Sequence, residues 1–194
     1  MTLQAQYNYL RMLVPYFLVS VVLLGFGIVL GITAVSFFPE VAYQLQDSFA
    51  EFGKMFRGLS RLQLAAAIFI NNALKTLFVI TFGALAGVVP VLFLLVNGVT
   101  LGLVMYSSIL SRGIWASLLA ILPHGVLELP AVLLGTGIGL MLGEHAIRRL
   151  LGAAETTLSS ELGRALRFFL SVIVPLLLVA AVIETFISAV LAQG

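Results

Sequence analysis

The chain has 194 residues, 61% of them hydrophobic and only 9% charged, with a formal net charge of +2. A soluble domain carries about 25% charged residues, so a soluble enzyme, a disordered chain and a nucleic-acid binder are excluded, and an integral membrane protein is left. Cysteine is absent, which removes disulfides, thiolate chemistry and Cys-based metal sites.

A spanning helix needs about 20 mostly apolar residues. In chain order the sequence predicts an all-α membrane protein with about five such spans. Arg11 precedes an uncharged run, and residues 12–38 form the first span. That run is too long for the apolar core of a signal peptide and has no small-x-small cleavage site, so it is read as retained.

Six charges then cluster between Glu40 and Arg61, which marks a wet linker over 40–62. Within it Leu45, Phe49, Phe52, Phe56 and Leu59 recur at steps of four, three, four and three. This is an apolar stripe at helical period. Such an amphipathic helix lies in the headgroup plane, packs on its own bundle, or docks a partner.

Spans two and three are predicted at 64–88 and 91–110. Val89-Pro90 leaves no room for a long loop, so the pair reads as a tight antiparallel hairpin with Pro90 opening the third helix. The segment 114–143 is too long for one span and too short for two. Pro123 and Pro130 fall inside it, so a broken or partly re-entrant helix is expected. Seven charges between Glu144 and Arg167 mark the second linker, 144–166, with a weaker stripe at Ile147, Leu151, Ala154, Leu158 and Leu162. His145, beside Glu144, reads as interfacial. The last span is 168–191.

Five spans with the N-terminus inside place Arg11, Arg148, Arg149, Arg164 and Arg167 in the cytoplasm, against Lys54, Arg57, Arg61 and Arg112 outside, a small positive-inside bias. Glycines stand four apart in four helices, at Gly27/Gly31, Gly83/Gly87, Gly98/Gly102 and Gly139/Gly143. Small residues at this spacing let helix backbones approach closely in lipid. Packing within one bundle is the favoured use, and a homodimer is the other.

Function is carried by polar groups at membrane depth. Asn71, Asn72, Asn97, His124, Glu128 and Glu184 lie in or near segments that otherwise want hydrocarbon. An ionisable residue there costs roughly 2.5–3.5 kcal/mol on insertion scales, so it faces the bundle interior and marks a candidate site. His124 and Glu128 are four apart and share a helix face. Pro130 deprives the Val126 carbonyl of its helical donor. Together these groups suit a proton, a cation or a polar ligand; helix-to-helix polar glue is the alternative for each. A divalent metal such as zinc would need Glu184 to complete a set with His124 and Glu128. Glu184 requires a partner from another helix, with His124 and Lys75 the candidates.

The same residues carry a resemblance. Ile68-Phe69-Ile70-Asn71-Asn72, then Lys75, then Gly83 and Gly87, then Asn97-Gly98 with Gly102, then Pro123-His124-Gly125-x-x-Glu128, then Ala181-x-x-Glu184 resembles the stage II sporulation protein M family. The likeness covers about Ala67 to Ser188. It implies a multi-pass, all-helical protein of the prokaryotic cytoplasmic membrane. The family's sporulation member is an anchor in a complex with cell-wall hydrolases, and many relatives occur in organisms that do not sporulate.

The leading expectation is therefore a membrane scaffold that positions a partner protein, with the Phe stripe as its docking element. A small transporter or channel using His124, Glu128 and Glu184 comes second, and an intramembrane metal-dependent hydrolase third.

Overall fold

A computed structural model describes residues 2–38, 40 and 58–191, the side chains of 116, 119–127 and 187–191 excepted. Helix α1 spans Leu3–Phe37, α2 Arg61–Gly83, α3 Val88–Arg112, α4 Ile114–Leu150, α5 Leu158–Phe168 and α6 Val174–Leu191. A π-helical turn, Phe169–Ile173, joins the last two, and no strand occurs among the described residues. Five helical stretches are long and apolar enough to cross a membrane: Leu3–Phe37, Arg61–Gly83, Val88–Arg112, Glu128–Leu150 and Leu158–Phe186. The protein is thus all-α and multi-pass.

Helix α1 starts nine residues before the expected span. Thr2 caps it by accepting from the Ala5 amide at 3.3 Å. Its first turns are held by packing: Tyr9 is buried, with its ring 4.9 Å from that of Phe168. Helix α2 begins with a reciprocal capping box, in which the Gln63 amide donates to Ser60 Oγ at 3.3 Å and the Ser60 amide donates to Gln63 Oε1 at 2.8 Å. The hairpin turn lies at residues 84–87, earlier than Val89-Pro90. Gly87 takes φ +75°, a left-handed conformation that reverses the chain, and Pro90 sits inside the first turn of α3, where it breaks no internal bond.

Pro123 and Pro130, expected to interrupt the fourth span, are carried within the continuous helix α4. Thirty-seven residues make about 55 Å of helix, against about 30 Å of hydrocarbon. A proline removes one internal bond without ending a membrane helix when neighbouring helices hold the flanking turns, and α4 touches every other helix. It is also the most buried span, with 56% of its apolar window inside the bundle against 22–33% for the others. Helix α4 stops in a Schellman motif: the Ala153 amide reaches the Arg148 carbonyl at 2.8 Å, the Gly152 amide reaches Arg149 at 3.1 Å, and Gly152 has φ +71°. The 144–166 linker is therefore the end of α4, a short turn and α5. The latter buries Glu161, Ala165 and Phe168 and leaves Ser159, Ser160 and Arg167 exposed. The wider turn at Phe169–Ile173 precedes Pro175, which has no N–H to donate; the Val174 amide bonds back to Phe169 instead.

Two glycine seams set the helix spacing. Gly27 and Gly31 of α1 run parallel against Gly98 and Gly102 of α3, so close that a Cβ at Gly27 would stand 2.8 Å from the Leu95 carbonyl. Gly83, the last residue of α2, and Gly87, at the end of the following turn, face Gly139 and Gly143 of α4, where a Cβ at Gly139 would meet the Val79 carbonyl at 2.7 Å. These parallel pairs fix the up-down order: α1 and α3 run one way, α2 and α4 the other. Leu24, Leu94 and Leu133 pack into a small apolar cluster from α1, α3 and α4 beside the polar residues described next.

Candidate functional site

Asn71 and Asn72 lie halfway along α2, and Lys75 follows one turn later on the Asn71 face. Asn97 lies near the middle of α3, Glu128 in the first half of α4 and Glu184 in α6. The parallel seam between α2 and α4 sets Gly83 beside Gly139, and the same register, eleven residues earlier on each helix, sets Asn72 beside Glu128.

These residues line one cavity of about 370 Å³, with Leu24, Leu94 and Leu133 at its apolar wall. Asn71, Asn72, Lys75, Asn97, Glu128 and Glu184 all contribute to its lining. Four helices thus bring their polar side chains to a common depth. Glu128 is 2% exposed, and the Asn72 amide donates to its Oε2. A buried carboxylate without such a donor would be very costly in a low-dielectric interior. Glu184 is half-buried; Asn71, Lys75 and Asn97 are exposed. The Asn97 side-chain amide also bonds back to the Phe93 carbonyl at 2.7 Å, which secures its rotamer one turn up its own helix. Thr76, buried immediately after Lys75, presses its Cγ2 against Gly135 and keeps α2 and α4 in register.

The side chain of His124 lies outside the described residues, although its backbone belongs to α4 one turn before Glu128. Leu45, Phe49, Phe52 and Phe56 of the docking stripe also fall outside them. Leu59, the last of that stripe, is exposed and not helical, because Gly58 turns the chain at φ +94° before the Ser60 cap. Among the described residues no three His, Asp or Glu side chains gather closely enough to hold a metal.

A second polar region lies at the end of the bundle where α1 begins and α4 stops. The Tyr16 hydroxyl donates to Glu144 Oε2 at 2.7 Å, and Arg148 Nε donates to Oε1 of the same carboxylate at 2.7 Å. His145 Nε2 lies 3.1 Å from the Thr156 carbonyl, the Thr156 hydroxyl donates to Glu161 at 3.0 Å, and Arg164 pairs with Glu161 at 3.4 Å. A cavity of about 580 Å³ opens among these groups. Sequence reading singled out the charges here as a linker and missed Tyr16. A lone Tyr near a helix start carries no pattern, and its partner is 128 positions away.

No curated protein and no solved structure matches the chain. The family model described as stage II sporulation protein M matches residues 20–189, a stretch that holds the α2–α4 register, the polar cavity and both glycine seams. The chain therefore belongs to the stage II sporulation protein M family.

Proposed function

We propose that this membrane protein holds a polar or charged ligand within the bilayer, in the manner of a small transporter, with Asn71, Asn72, Asn97, His124, Glu128 and Glu184 as its binding groups. The observation that carries this reading is the convergence of polar side chains from four helices on one cavity of about 370 Å³. Polar glue between helices closes on itself and needs no room. Ligand sites, by contrast, run from about 300 to 1,000 Å³ with a few placed polar groups on apolar walls. Mid-depth polar sites between helices are also where transporters bind substrate.

The test is extraction into native lipid discs, followed by mass spectrometry of bound small molecules. Wild type should carry a species at near-stoichiometric occupancy that Asn97→Ala and Glu128→Gln lose. Equal contents in all three would refute the reading.

A second reading is favoured by the family match. A member of the stage II sporulation protein M family is a candidate membrane scaffold, in the cytoplasmic membrane of a prokaryote, that positions partner proteins or a second copy of itself. The apolar stripe Leu45, Phe49, Phe52, Phe56 and Leu59 would be its docking element. Crosslinking in the native membrane separates the two readings: a scaffold gives a defined protein adduct that Phe52→Asp abolishes and that Glu128→Gln leaves intact.

A further inference from the structure

A second cavity lies at the end of the bundle where the α2–α3 hairpin turns. Gly87 closes that turn against Gly143 of α4, so Glu144 and the residues after it stand at the surface of the bilayer. The cavity of about 580 Å³ opens at this level, between the first half of α1, the end of α4, the connection that follows and α5. Its volume is in the range of ligand sites. Met141 and Leu142 give it a buried apolar floor. Met12 and Pro15 stand on its α1 edge. From there Val19, Val22 and Phe26 continue along one face of α1, at steps of three, four, three and four counted from Met12. All five are exposed. They form an apolar track that leads from the edge of the cavity into the hydrocarbon.

The polar wall is specific in what it leaves unspent. Glu144 accepts from the Tyr16 hydroxyl at one oxygen and from Arg148 Nε at the other. Glu161, which is buried, accepts from the Thr156 hydroxyl at one oxygen and pairs with Arg164 Nη1 through the other. Both carboxylates are thus taken up within the protein. The guanidiniums are not: among the described residues Arg148 is engaged through Nε alone and Arg164 through Nη1 alone. The rest of each planar fork is open, and such forks match the paired oxygens of a phosphate. Glu155 lines the same cavity and is exposed, and its side chain makes no hydrogen bond or ion pair among the described residues. A simple anion would be repelled by that carboxylate. A ligand that carries an ammonium beside its phosphate complements both.

We propose that this cavity binds a phosphoethanolamine headgroup, with the phosphate on Arg148 and Arg164 and the ammonium on Glu155. The apolar track makes a lipid the source, its acyl chains lying along Met12, Pro15, Val19, Val22 and Phe26. The site shares no lining residue with the central cavity and stands whether or not that cavity holds a ligand.

The experiment titrates the delipidated full chain in detergent micelles with dioleoyl lipids that differ only in headgroup, and counts bound molecules by native mass spectrometry. Phosphatidylethanolamine should bind saturably and about tenfold tighter than phosphatidylglycerol, which has the phosphate without the ammonium, or phosphatidylcholine, whose quaternary nitrogen has no N–H. Arg148→Gln should weaken it about tenfold. Glu155→Gln should erase the preference over phosphatidylglycerol. Both positions are exposed, so folding tolerates the changes. Asn97→Ala, in the central cavity, should leave lipid binding unchanged. Glycerophosphoethanolamine, the same headgroup without chains, should displace the lipid only at far higher concentration. Displacement at equal concentration would make the ligand a soluble one and overturn the lipid assignment. Equal binding of the three lipids, or a preference that survives Glu155→Gln, would overturn the site.

Discussion

The Asn72 side-chain amide donates to Glu128, joining α2 to α4 at the depth of the central cavity. Their separation of 56 positions makes this a product of helix packing alone. Glu128 is 2% exposed, so its carboxylate depends on donors supplied by neighbouring helices.

Removing that donor has a cost. Hydrogen bonds between membrane helices are worth about 1–2 kcal/mol in model peptides and less in some folded bundles. Asn72→Ala should therefore lower unfolding stability by about 1–2 kcal/mol in mixed micelles. Asn72→Asp should cost more, since it sets a second carboxylate against Glu128. Denaturation curves that superpose on wild type would show that the bond contributes nothing.

The glycine seams predict a graded response. A Cβ at Gly31 would run into the Val99 carbonyl, and one at Gly143 into the Gly87 amide. Backbone cannot step aside as a side-chain end can, so Gly31→Ala and Gly143→Ala should each destabilise by about 1–3 kcal/mol, as overpacking does. Gly25 has nothing within 4 Å of its added Cβ. Gly25→Ala should be neutral, or stabilising by up to about 1 kcal/mol through helix propensity. Thermal unfolding of the three variants side by side checks the order.

Tyr16 and Glu144 clasp α1 to the end of α4 with a 2.7 Å hydrogen bond. Tyr16→Phe keeps the ring and deletes the donor. The expected loss is about 0.5–1.5 kcal/mol. A double-mutant cycle with Glu144→Gln should return a coupling of that order, whereas a cycle with Arg164→Gln, whose partner is Glu161, should return almost none.

Helix direction predicts topology. Because α1 and α3 run antiparallel to α2 and α4, the start of α1, the 84–87 turn and the 151–157 connection share one side of the membrane. Gly113 and Ser60 share the other. The chain has no cysteine of its own, so single substitutions report cleanly. An impermeant maleimide applied to right-side-out vesicles should label Arg112→Cys and spare Glu155→Cys and Gln4→Cys. Labelling of Glu155→Cys and Arg112→Cys from the same side would break the five-span order.

Much of the architecture was legible in the sequence because hydropathy is a local property. Low charge and long apolar runs were enough for an all-α, multi-pass protein with five spans. The order of polar and glycine residues was enough for the family. Boundaries were less legible where packing overrides pattern. Helix α1 reaches back to Leu3 because Tyr9 is buried against Phe168, and no run of apolar residues announces that. Likewise α4 continues through Pro123 and Pro130 as one helix, which packs on every other helix of the bundle somewhere along its length.

Which residues meet was decided by the tertiary structure alone. The sequence displayed four glycine pairs; the fold matched Gly27/Gly31 to Gly98/Gly102 and Gly83/Gly87 to Gly139/Gly143. It displayed scattered Asn, Lys and Glu residues; the fold turned six of them toward one cavity. A chain determines its own membrane spans because each span answers only to water and hydrocarbon. Register and rotation between spans depend on how two surfaces fit, and that fit belongs to neither sequence segment taken singly.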